Sequence, residues 1–122
     1  MSVMESNTVD FVVPENKDGT ALLIIIDQLP WQIDEDDHLV MLQDKINTCL
    51  AFVESGQLIS DFPKAKSRKV VLQIWGLYAP SAKGEKFIAA VRPIAAQLDI
   101  DVQFKLKPQD WAPPDVAHRQ VH

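Results

Sequence analysis

Residues 20–27 carry apolar side chains on both faces of a would-be strand, and this most narrows the folds open to the chain. In an extended backbone Leu22, Ile24 and Ile26 project one way, while Ala21, Leu23 and Ile25 project the other. Such a strand needs cover on both sides, which places it at the centre of a sheet. Residues 70–75 repeat the pattern with only Gln73 breaking it. Residues 100–106 differ: Ile100, Val102, Phe104 and Leu106 alternate with Asp101, Gln103 and Lys105. One buried and one wet face follow from that alternation, as on an edge strand.

Residues 9–13 read as a further short strand, and the turn-rich stretch 14–19, with Asp18-Gly19, joins it to residues 20–27 as an antiparallel hairpin. Residues 34–55 are the clearest helix, with Leu39, Leu42, Ile46, Cys49, Leu50 and Val53 at helical spacing. Asp34 or Asp36 is placed to cap its start, and Gly56 to end it in a left-handed conformation. Pro63 marks a loop. Ser81 can cap a second helix whose stripe is Phe87, Ile88, Val91, Ile94, Ala95 and Leu98, with a kink or restart expected near Arg92 because of Pro93.

The order is therefore β-β-α-β-α-β, an α/β (two-layer α+β) fold. Helical connections favour parallel, right-handed crossovers. With both helices on one face, the strands take the order 1-2-3-4 in a four-stranded mixed sheet, and only the first strand is antiparallel. Residues 1–8 read as a flexible N-terminus, 9–106 as one domain and 107–122 as an irregular proline-rich arm. The outer faces of the second and third strands remain to be covered, by the arm or by a homodimer partner.

At 122 residues the chain is long enough for a core without staples. Its longest apolar run, residues 21–26, is far below the ~20 residues of a membrane helix. Residues 1–7 show no export signal, and the single cysteine, Cys49, falls on the buried stripe of the first helix. Both features suit a reducing cytoplasm. A net charge of −5 argues against nucleic acid as a partner. The basic cluster Lys64, Lys66, Arg68 and Lys69 reads as a solvated turn rather than an anion site.

No catalytic motif, metal motif or cofactor fingerprint is present, and four glycines leave little for a phosphate cradle. Ligands in open sheets of parallel strands bind beyond the carboxyl ends of those strands. Asp27, Trp31, Trp75, Tyr78 and Trp111 all fall there, beside the acidic helix start with Asp34, Glu35, Asp36, Asp37 and His38. The acids could simply favour the positive end of the helix dipole. Asp34 and His38, spaced i, i+4, could instead join Asp27 around a metal. The indoles are core or loop anchors unless they cluster at the surface, where such residues dominate binding.

The strings Val9-Asp10-Phe11, Ile26-Asp27-Gln28-Leu29-Pro30-Trp31, His38-Leu39, Leu42-Gln43-Asp44-Lys45-Ile46-Asn47, Phe52 and Ser55-Gly56-Gln57 resemble a family of small uncharacterised bacterial proteins. The likeness spans roughly residues 9–75. It implies bacterial origin and brings no activity with it. A histidine is common in that family where this chain has Gln28, which weakens any mechanism needing one there.

The leading expectation is a non-enzymatic protein- or peptide-binding module using a rim of Asp27, Trp31, Asp34, His38, Trp75, Tyr78 and Trp111. A toxin-neutralising protein, whose acidic surface masks a basic active site, would be one instance. The alternatives are a small metal-binding or hydrolytic domain using Asp27, Asp34, Asp37 and His38, and a structural homo-oligomer without ligand. No cofactor, nucleic acid or membrane is expected as a partner.

Overall fold

The computed structural model describes residues 9–106 and 117–119. Strand β1 (Val9–Val13) pairs antiparallel with β2 (Thr20–Asp27). Helix α1 (Glu35–Glu54), the short α2 (Gln57–Asp61) and a 3-10 turn lead to β3 (Lys69–Gly76). Helix α3 (Ala82–Ala96) then precedes β4 (Ile100–Leu106). β2, β3 and β4 run parallel, in register from Thr20 opposite Lys69 to Asp27 opposite Gly76, and from Val70 opposite Ile100 to Gly76 opposite Leu106. Their carboxyl ends therefore share one edge.

The four strands stand in the order read from the sequence, with β4 at an edge. A fifth strand, β5 (Ala117–Arg119), extends the sheet by pairing with β1. The C-terminal arm thus contributes to the sheet, where an irregular segment was expected. Its short, proline-flanked sequence has no strand periodicity to announce this.

Two apolar clusters lie on opposite faces of the sheet. Ala21, Leu23, Ile25, Leu72 and Ile74 meet Leu42, Ile46 and Cys49 of α1 and Ile88, Val91 and Ala95 of α3. Leu22, Ile24, Ile26, Val71 and Trp75 form the second cluster, joined by Phe11 and Val13. Gln73 is tolerated in this face because it is bonded on both sides. Trp75 Nε1 donates to Gln73 Oε1 at 2.9 Å, and Gln73 Nε2 donates to Gln103 Oε1 at 3.1 Å.

Several local expectations are revised. The residue capping α1 is Asp34, but it is left-handed (φ 49°) and its side chain makes no capping bond. The buried stripe of α1 also takes in His38, Lys45 and Phe52. The loop around Pro63 contains α2 and the 3-10 turn. Helix α3 is continuous through Pro93, and Ile94 is exposed. Ser81 caps α3 as expected, accepting from Gly84 N at 3.1 Å, and Gly56 sits at φ 85° just past α1.

The basic segment is solvated as expected, with Lys64, Lys66 and Lys69 exposed. Lys69 pairs with Asp99 at 2.7 Å, and Arg68 donates to the Asn16 and Thr20 carbonyls. Among the described residues, no helix is long and apolar enough to cross a membrane.

At Gly84, α3 packs closely against Trp31. A Cβ there would lie 2.8 Å from Cζ3 of Trp31, a buried ring. Alanine gains up to about 1 kcal/mol of helix propensity, but overpacking costs about 1–3 kcal/mol. Gly84→Ala should therefore lower stability in urea unfolding; an equal or raised midpoint would show that the indole has room to move.

Candidate functional site

Strand β2 carries Asp27 to the carboxyl edge of the sheet, where its side chain is almost fully buried. One carboxylate oxygen, Oδ1, accepts from the Leu29 N–H at 3.1 Å and turns the chain out of the strand. The other, Oδ2, lies 2.6 Å from His38 Nε2. His38 comes from the first turn of α1, and Trp31 from the loop between them. The indole stacks on the imidazole with centroids 3.8 Å apart and 27° between the planes. Packed against Gly84 as well, Trp31 is only 2% exposed. Three consecutive pieces of chain thus lock one ionisable pair in place.

Burial pushes the Asp27 carboxyl above its ordinary range. The His38 hydrogen bond, the His38 charge and the Leu29 N–H pull the other way without overcoming it. A buried carboxylate held by an imidazole is the usual device for orienting that ring and selecting its tautomer. Here Nε2 is committed to Asp27. The other nitrogen, Nδ1, is buried without a hydrogen-bond partner, the one such side-chain atom found among the described residues. A buried polar atom left unpaired costs about 1–3 kcal/mol.

His38 also forms part of the wall of a cavity of about 350 Å³. Leu29, Pro30, Ile33 and Met41 supply its apolar lining, and Asp34 and Asp37 flank it. These two differ from their neighbours in the acidic cluster. Glu35 accepts from the Ser81 hydroxyl, and Asp36 holds Lys83 at 3.0 Å. Asp36 first, then Glu35, keeps the Lys83 ammonium above its ordinary range. Asp34 and Asp37 have no ion-pair partner among the described residues.

The expected rim is therefore only partly assembled. Asp27, Trp31, Asp34 and His38 come together. Trp75 lies one residue before the end of β3 at the same edge but packs into the cluster on the opposite face of the sheet. Tyr78 is exposed beyond β3, outside the cavity lining, and Trp111 lies outside the described residues. Trp31 and Trp75 are core anchors, so neither offers an exposed hot spot. No group of three or more His, Cys, Asp or Glu side chains converges among the described residues to hold a metal ion. Asp34 precedes α1 in a left-handed conformation, and among the described residues the imidazole of His38 pairs with Asp27. Sequence reasoning missed Leu29, Ile33 and Met41 as a pocket. The available signal was apolar residues next to the acids, off the buried stripe.

A family model for a family of unknown function, DUF6572, matches residues 1–108. The chain belongs to that family. No curated protein and no solved structure matches it. Family membership covers both the dyad and the cavity, and brings no activity to either.

The sign of the Asp27 shift makes a prediction. The folded state holds this proton more tightly than the unfolded chain does. Its contribution to stability is full below the ordinary carboxylate range and is lost as pH rises through the folded value. Asp27→Asn has no such titration. The stability of the native chain relative to this variant should fall as pH is raised from about 3.5 to about 7. A difference that grows over that range would mean the pairing with His38 outweighs burial.

Proposed function

We propose that this chain is a non-enzymatic binding module that takes a basic, partly apolar segment of a partner protein into the cavity beside His38. The observation that carries this reading is a cavity lined by His38, whose buried Nδ1 has no partner among the described residues, and flanked by two carboxylates without an ion pair there. An apolar side chain would enter among Leu29, Pro30, Ile33 and Met41, while an ammonium or guanidinium would meet Asp34 and Asp37. A polar hydrogen of the same segment would satisfy His38. The net charge of −5 favours encounter with such a partner and disfavours an acidic one.

Short peptides titrated into the full chain by calorimetry, with amide NMR shifts followed in parallel, test the proposal. Peptides combining Leu or Met with Lys or Arg should shift the signals of residues 29–41 and bind more weakly as salt is raised. The double variant Asp34→Asn, Asp37→Asn should weaken that binding by about tenfold, or roughly 1.4 kcal/mol. Equal binding of acidic peptides, or shifts confined to other regions, would defeat it.

The Asp27–His38 geometry favours a second reading, a hydrolytic one. An imidazole oriented by a buried carboxylate is the arrangement of a general base, and water at Nδ1 would be the group it activates. Turnover of a generic ester or phosphodiester that vanishes in His38→Gln, with the fold retained, would select this reading over the first.

A further inference from the structure

We propose that the outer edge of β4 pairs antiparallel with β4 of a second copy of this chain, in the register centred on Gln103. The sheet ends at β4 on one side and at the three-residue β5 on the other. Among the described residues β4 has a strand neighbour only in β3. A seven-residue strand at the edge of a sheet is a ready template for another strand.

The direction of those groups can be read from Arg92. Its Nε donates to the Val102 carbonyl at 3.2 Å, so that carbonyl turns away from β3. Because successive residues alternate, Ile100, Val102, Phe104 and Leu106 direct their N–H and C=O groups outward. An antiparallel partner must then set even-numbered residues against even-numbered residues. Centring the pair on Gln103 sets Val102 opposite the partner's Phe104 and Ile100 opposite the partner's Leu106. It also sets Asp101 opposite the partner's Lys105, and two-fold symmetry repeats each contact.

Charge selects this register. Moving the centre to Val102 leaves Asp101 facing Gln103 of the partner subunit; moving it to Phe104 leaves Lys105 facing that glutamine. Only the register centred on Gln103 matches the two opposite charges within the strand. These are non-hydrogen-bonded positions, where facing side chains approach most closely. Asp101 and Lys105 are both exposed, and Lys105 has no ion pair among the described residues. Gln103 donates to Asp101 Oδ2 at 3.1 Å, which holds the carboxylate along the edge. Leu106, 59% exposed, gains an apolar neighbour in Ile100 of the partner subunit. Pairing exchanges the Arg92 bond to Val102 for a main-chain bond from the partner's Phe104.

Sedimentation equilibrium of the full chain across a micromolar concentration series tests this, with circular dichroism confirming the fold of each variant. The native chain should move from monomer to dimer mass. Lys105→Asp and Asp101→Lys should each weaken association by about tenfold or more, since each sets like charges face to face. The double variant Asp101→Lys, Lys105→Asp should return it to near the native value. A native chain that stays monomeric throughout overturns the proposal, as do single variants that dimerise normally. Folded single variants that lose the dimer, with no recovery in the double, would overturn the register.

Discussion

Burial of β2 on both faces is the constraint on which the rest of this structure depends. A strand of alternating Leu, Ile and Ala has no side to give to water, so the sheet must be covered by helices on one face and closed by a second apolar cluster on the other. That requirement puts β2 between β1 and β3, and the helical crossovers then make β2, β3 and β4 parallel. Once they are parallel, their carboxyl ends coincide, and whatever follows each strand is brought to one edge.

Asp27 sits at the end of that buried strand, where a carboxylate is expensive. Its neighbours answer the cost in three ways: a main-chain N–H two residues on, an imidazole from α1, and an indole that closes over the imidazole. A buried pair of this kind is poor evidence of stability, because desolvation consumes much of the attraction. It is better evidence of orientation. Each ring and carboxylate is held by a different piece of chain, and His38, which lines a cavity, keeps a buried Nδ1 without a partner among the described residues.

The same economy appears on the reverse face. Gln73 interrupts an apolar strand, and its amide is used twice, by Trp75 and by Gln103. The line of polar contacts continues to Asp101 and ends at the open edge of β4. Polar groups thus reach the margin of the sheet at the strand ends beside α1 and again along β4.

Periodicity and turn residues determined the elements: the strands at residues 9–13, 20–27 and 100–106, the start of α3 at Ser81 and the end of α1 at Gly56. These are local properties, set by which side chains can share a face and which residues tolerate a given backbone angle, so they can be read along the chain. The order of the four strands also followed, because crossover handedness leaves few choices. The sequence placed Asp27 and His38 at one edge for the same reason.

Tertiary structure alone decided that these two residues bond to each other, that Trp31 turns inward, that Trp75 belongs to the opposite face, and that Asp34 and Asp37 stay uncommitted while Glu35 and Asp36 are taken by α3. Each of these depends on which of several nearby groups comes within about 3 Å, the reach of a hydrogen bond. Distances of that size are set by the packing of whole elements, and no spacing along the chain encodes them.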